Sequence, residues 1–135
     1  MLEERVINRL KIMIEKSYYI NERYKLHSTF VLLYHEKPLE VKILGNLVRK
    51  SDHFLKIDEN HYFINFIYIS HEEAFKAAQN LIYALDTHFL NRTSAIAIDT
   101  FDPIKTPTAV YNRLHDILHE IKGNSYSRIE DETIF

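Results

Sequence analysis

Between Arg49 and Ile69 the apolar residues alternate, break once and resume as a longer run, Tyr62-Phe63-Ile64-Asn65-Phe66-Ile67-Tyr68-Ile69. The break is Asp58-Glu59-Asn60, three turn-forming types in a row. Alternation interrupted by such a cluster predicts the end of a helix, a short strand, a tight turn and a longer apolar strand, which is a β-hairpin. The other segments can be placed around this hairpin.

Leu2, Val6, Leu10, Met13 or Ile14, and Ser17 or Tyr18 recur at steps of three and four with charges between them, which predicts an amphipathic helix from Leu2 to about Tyr24. Its stripe must be buried, either against its own domain or against a partner helix. Ser28 to Tyr34 is a β-branched and aromatic run suited to a strand buried on both faces. Pro38 is placed to open a helix that carries Leu39, Ile43, Leu47 and Val48 up to Arg49. After the hairpin, Ser70 followed by Glu73 forms a capping box, and Phe75, Ala78, Ile82, Leu85 and Phe89 give the helix behind it an unbroken stripe. Ala95 to Phe101 reads as a strand, Asp102-Pro103 and Thr106-Pro107 as turn and cap, and Thr108 to Lys122 as a last helix stopped by Gly123-Asn124. The remaining tail is polar and acidic, with an edge strand expected near Tyr126 to Ile129 and otherwise loose chain.

Helix, strand, helix, hairpin, helix, strand, helix is the order of an α+β, ferredoxin-like or palm-type sheet, a βαββαβ core with helices on it and an N-terminal amphipathic helix. At 135 residues the chain suits a single domain: helix over 1–25, core over 26–123 and polar tail over 124–135.

The hairpin carries a further pattern. Arg49-x-x-Asp52, five residues, the pentad Asp58-Glu59-Asn60-His61-Tyr62 and an apolar strand resemble, position for position, the central hairpin of the GGDEF domain, the family of nucleotidyl cyclases that make cyclic di-GMP. The family's Ala-Leu-Tyr-x-Ala-Lys segment falls on Ile117-Leu118-His119-Glu120-Ile121-Lys122, where Lys122 matches and His119 replaces the Tyr. The resemblance spans about residues 5 to 130, and it implies the palm fold of a degenerate, diguanylate cyclase-like domain.

The chemistry departs from that pattern. A cyclase of this kind needs turn glycines for close approach of a triphosphate and carboxylates for two divalent cations. Here Asp58 and Glu59 stand at the glycine positions, Asn60 and His61 at the carboxylate positions, and the only glycines, Gly45 and Gly123, lie elsewhere. The family's metal-binding Asp and long guanine-recognising excursion after the first strand are replaced by Tyr34-His35-Glu36 and a short connection. The resemblance therefore implies a catalytically inactive regulatory or protein-interaction domain rather than an enzyme. The alternative is a cyclic di-GMP receptor, because Arg49 and Asp52 match the family's product-binding inhibitory site and Lys122 its phosphate contact. An active nucleotidyl cyclase or phosphoryl-transfer enzyme stands third.

Other chemistry is sparser. A net charge of −2 without a basic block argues against a nucleic-acid partner, and the absence of cysteine excludes disulfides and thiolate sites. The charged N-terminus has no apolar run, so no signal peptide or membrane span is expected, a cytoplasmic location is, and the sequon Asn91-Arg92-Thr93 carries no meaning. Glu36 reads as an exposed turn residue rather than a ligand, and Asp58, Glu59 and His61 as a solvated turn rather than a metal site. His115 and His119 have a zinc-type spacing, but Asp116 is short for a general base and no third ligand follows. No metal or cofactor is expected; the partners expected are a protein, including a second copy through the N-terminal helix, and cyclic di-GMP.

Overall fold

Phe30-Val31-Leu32-Leu33 is fully buried, and that burial organises the fold. The computed structural model describes residues 2–124 and 127–135, and of residue 124 the backbone only. These four residues lie in β1 (Ser28–Tyr34), which is followed by α2 (Val41–Leu47), β2 (His53–Lys56), β3 (His61–Ile67), α3 (His71–Phe89), β4 (Ala95–Ile98), α4 (Pro107–Asn124) and β5 (Ile129–Glu130), and preceded by α1 (Glu4–Tyr24). A 3-10 turn over Glu132–Ile134 ends the chain. The strands form one sheet in the order β2-β3-β1-β4-β5. The first four are antiparallel to their neighbours, and β5 alone pairs in parallel, beside β4. This is the α+β palm expected from the element order, widened by one short edge strand.

Because side chains alternate across a strand, β1 sends Phe30 and Leu32 to one face and Val31 and Leu33 to the other. The first pair packs with Leu10 and Ile14 of α1, Phe63 of β3, and Val110, Leu114 and Ile117 of α4. The second packs with Leu44 of α2, Ile64 of β3, and Ala78, Leu81 and Leu85 of α3. The inward stripe of α1 is thus spent on its own domain, while Ile12, Tyr19 and Tyr24 stay outside. The capping box is in place, with Ser70 Oγ accepting from Glu73 N at 3.1 Å and Glu73 Oε1 accepting from Ser70 N at 3.2 Å.

Three segments differ from expectation. Helix α2 opens at Val41 rather than Pro38, with Glu40 as its extended N-cap. Both backbone groups of buried Leu39 are taken by the Tyr62 hydroxyl, with N–H donating at 2.7 Å and C=O accepting at 3.2 Å, so Pro38 and Leu39 stay outside the helix. The same helix stops at Leu47, which puts Arg49 beyond its last turn. Strand β4 ends at Ile98 instead of Phe101, where Asp99 turns inward. The tail is tied down rather than loose. Arg128 forms a fork on Asp86, both N–H···O distances being 2.8 Å, and Asp131 Oδ2 lies 2.8 Å from His71 Nε2. The expected edge strand falls at Ile129–Glu130, and Tyr126 lies outside the described residues. No helix among the described residues is long and apolar enough to cross a membrane.

Asp99 is the costly element of this core. Its side chain is fully buried, Oδ1 accepts from Lys105 Nζ at 2.9 Å, and Oδ2 has no partner among the described residues. Burial pushes its pKa up to about 6 against the pull of Lys105. The folded value thus lies above the unfolded one, so this group's stability contribution is full below pH ~4 and is lost as the pH rises through the folded value. Asp99→Asn should mimic the protonated acid. Urea unfolding should show its stability relative to wild type growing by roughly 1–3 kcal/mol between pH 4 and pH 8. A constant difference across that range would show that Asp99 titrates normally.

Candidate functional site

The hairpin turn is closed by its backbone and then stitched to the rest of the protein by side chains. Ile57 N and Asp58 N donate to His61 O at 2.9 and 3.3 Å. Asp58 Oδ1 accepts from Asn60 N at 2.8 Å, the turn that Asp forms with the backbone two residues on, and lies 2.8 Å from His61 Nδ1. Burial would raise the Asp58 pKa, but the Asn60 N–H and His61 outweigh it and hold the carboxyl below its usual range.

Asn60 and Tyr62 reach across to the connection between β1 and α2. Asn60 Nδ2 donates to His35 O at 3.0 Å and to Glu36 O at 2.7 Å, while Asn60 O accepts from His35 N at 3.0 Å. The Tyr62 hydroxyl accepts from Leu39 N and shares its one proton between Leu39 O and Glu59 O, the latter at 3.0 Å. Three of the five signature positions are therefore occupied by side chains that satisfy backbone, Asp58 within the turn and Asn60 and Tyr62 across it. At the end of β1, His35 is fully buried against Phe89, with Nδ1 2.7 Å from Ser94 Oγ, and burial lowers its pKa. Glu36 is exposed, as expected.

Around the turn lies a loose aromatic and imidazole cluster. The Tyr34 and His61 rings are 5.5 Å apart, His61 and His115 6.3 Å, and His115 and Tyr111 6.0 Å. Lys122 Nζ sits 4.0 Å above the Tyr34 ring, which brings the phosphate-contact candidate to the turn. A cleft of about 670 Å³ opens beside it between the N-terminus of α1, the turn and α4, with Lys11, Asp58, Glu59, Tyr111 and His115 on its walls. Among the described residues no three His, Cys, Asp or Glu side chains form a group able to hold a metal ion, so neither Asp58, Glu59 and His61 nor His115 and His119 acquire a full ligand set.

Arg49 and Asp52 lie at the other end of β3, roughly 20 Å away at the rise of an extended strand. The Asp52 side chain is 1% exposed and that of Arg49 47%. Asp52 accepts from Arg49 N at 3.0 Å, Nε at 3.1 Å and Nη2 at 2.6 Å, and from Ile67 N at 3.2 Å. Arg49 Nη2 also donates to Ile67 O at 2.6 Å. The pair fastens the segment after α2 to the end of β3, and hydrogen bonding to Asp52 raises the Arg49 pKa further. The spacing Arg-x-x-Asp singled out both residues as a ligand site, but not that they bind each other or that the carboxylate is enclosed by its own donors. Asn60 and Tyr62 escaped notice as bridging residues because a turn Asn and a strand Tyr have ordinary readings of their own.

No family model matches the chain, and no curated protein matches it in sequence. Solved structures do match. The GGDEF domain of DgcB from Caulobacter crescentus, in complex with c-di-GMP, superposes with a TM-score of 0.70 at 7% identity, covering 90% of this chain and 87% of that one. The diguanylate cyclase SiaD from Pseudomonas aeruginosa, in complex with its activator SiaC, gives 0.70 at 10% identity over 91% of this chain, which spans 56% of SiaD. The isolated GGDEF domain of TpbB (YfiN) from the same organism gives 0.66 at 11% identity, with 91% and 86% covered. At such identities the likeness is one of architecture: this chain has the palm fold of GGDEF domains.

Proposed function

We propose that the chain is a catalytically inactive GGDEF-like domain that works as a regulatory or protein-interaction module. The observation that carries this reading is the stitched turn. Where a cyclase needs bare backbone for a triphosphate and carboxylates for metal, Asn60 and Tyr62 bind Glu36, His35 and Leu39, and Asp58 adds negative charge. A partner protein fits this reading, since SiaD, whose structure is similar, is in complex with its activator SiaC. For a second copy of this chain, the surface on offer is the outer side of α1, with Ile12 and Tyr19 each more than half exposed.

The second reading is a cyclic di-GMP receptor through Arg49 and Asp52, with Lys122 as a phosphate contact elsewhere on the domain. It is favoured by the half-exposed guanidinium and by the c-di-GMP bound to the DgcB domain. Against it, Asp52 has its lone pairs committed to Arg49 and Ile67 and almost no surface to offer a guanine. An active phosphoryl-transfer enzyme remains the third reading.

Purified protein given GTP with Mg²⁺ or Mn²⁺ should form no cyclic di-GMP, and product growing with time and protein concentration would overturn the proposal. Replacing the pentad with Gly-Gly-Asp-Glu-Phe should leave it inactive. That replacement should also be less stable by at least about 1–3 kcal/mol, because the bridges to Leu39, His35 and Glu36 go with it.

Titration calorimetry separates the first two readings. The proposal expects no heat with cyclic di-GMP, and for Arg49→Ala a loss of roughly 1–3 kcal/mol of stability from exposing Asp52 to an unmet charge. A receptor would instead show binding that falls on the order of a hundredfold in the variant.

Self-association is tested best by Ile12→Glu with Tyr19→Glu rather than by deleting α1, whose Leu10 and Ile14 belong to the core. Light scattering should show a dimer in wild type and a monomer in the double variant. An unchanged mass would take α1 out of the interface.

A further inference from the structure

The buried side-chain atoms without a hydrogen-bond partner among the described residues include His35 Nε2 and, inside β3, Asn65 Oδ1, but the others gather where β4 ends: Asp99 Oδ2, Glu132 Oε2, His71 Nδ1 and Tyr18 OH. Glu132 and His71 both act on the charge of Asp99, and Asp99 acts on Tyr18, so they form one neighbourhood. It is assembled from the segment after β4, the 3-10 turn after β5, the start of α3, and α1. Buried acceptors without donors are costly, and natural proteins rarely keep several together without a use.

The 3-10 turn closes this neighbourhood from outside. Arg128 pins its approach, through the fork on Asp86 and through Nε donating to Ser94 O at 2.8 Å. Beyond that pin the holds are fewer. Asp131 Oδ2 lies 2.8 Å from His71 Nε2, Asp131 Oδ1 accepts from Thr133 N at 2.9 Å, Ile134 packs on the core between α1 and α4, and the Phe135 ring lies 5.5 Å from the Arg113 guanidinium. Docking the turn therefore brings two carboxyl groups, those of Asp131 and Glu132, toward a third that is fully buried. The cations facing them are already engaged: Lys105 with Asp99 Oδ1 and Thr100 O, His71 with Asp131, and Arg113 with Phe135, while Asp102 adds a further negative charge near Tyr18.

We propose that residues 131–135 are a pH-sensitive strap, docked while the Asp99 carboxyl holds a proton and released, with Arg128 as its hinge pin, once Asp99 and Glu132 are both charged. The proton removes the repulsion and turns one buried acceptor into a donor. Burial, helped by Glu132, pushes the Asp99 pKa up to about 6 against Lys105 and His71, and lifting the strap lets water return the carboxyl toward its usual ~4. The docked state thus binds more protons. Its docking is strongest below pH ~4 and is lost as the pH rises through the docked value, by at most about tenfold per unit and about a hundredfold in all. His71 works in the same sense, because a charged imidazole holds Asp131 more strongly than a neutral one. Release bares the seat of Ile134 against α1 and α4, a patch covered in acid and open above it.

Heteronuclear NOE values of Thr133, Ile134 and Phe135 in full-length ¹⁵N-labelled protein report the strap directly. They should be high at pH 4.5 and fall by pH 7.5, while those of Ile96, whose N–H donates to Arg128 O, and of α3 stay unchanged. Asp99→Asn should abolish the fall, and Glu132→Gln, in a half-buried tail residue, should flatten it. His71→Gln should loosen the strap at both pH values and keep the fall. Values that do not change with pH in wild type, or a fall as steep in Glu132→Gln as in wild type, would overturn the proposal. So would a fall that disappears only in His71→Gln, which would give the response to the imidazole alone.

Discussion

The structure depends on one strand that cannot face water on either side. Phe30, Val31, Leu32 and Leu33 are fully buried, and β1 is hydrogen-bonded along both edges, to β3 and to β4. Such a strand requires a layer of helix above and below it. Helices α1 and α4 supply one layer, and α2 and α3 the other. Each layer buries an alternate set of β1 side chains, so a one-residue slip of β1 would exchange the two cores and fit neither.

Given that frame, the two ends of β3 become separate problems in polar chemistry. At one end the chain must turn between β2 and β3 and also approach the end of β1. It does so with side chains, since Asn60 and Tyr62 supply donors and acceptors that backbone atoms of His35, Glu36 and Leu39 would otherwise seek from water. At the other end Arg49 and Asp52 perform the same service for Ile67. A turn built this way is filled and negatively charged where a glycine turn would be open.

The fold was legible because its strongest signals are local. Alternation around Asp58-Glu59-Asn60, the Ser70 to Glu73 cap and the apolar stripe of α3 each lie within one element and identify it without knowledge of the rest. What was not legible depends on partners far along the chain. The start of α2 is governed by a Tyr62 hydroxyl 23 residues from Leu39, and the order of the tail by an Arg128 fork on Asp86, 42 residues away. For the site, residue types at Arg49, Asp52 and Lys122 could be aligned with a pattern, but the enclosure of Asp52 and the seat of Lys122 on Tyr34 are properties of packing. Asn65 shows the opposite case: an Asn inside Phe63-Ile64-Asn65-Phe66 breaks an apolar run at a position bound to be buried, and that signal was present in the sequence.

The central position of β1 has a consequence for how the protein is made. Strand β1 is synthesised early, yet its two neighbours in the sheet come later, and Val31 cannot meet Ile98 until β4 has left the ribosome. Until β3 and the helices after β1 are also made, its apolar side chains have only α1 and the chain's own transient collapse to shield them, because contacts of such separation close slowly. The nascent chain therefore passes through a period in which this apolar strand is complete and unpaired, first on both edges and then on the edge that β4 will fill. Placing an amphipathic helix directly before that strand gives it a covering partner, Leu10 and Ile14 against Phe30 and Leu32, from the moment both are made.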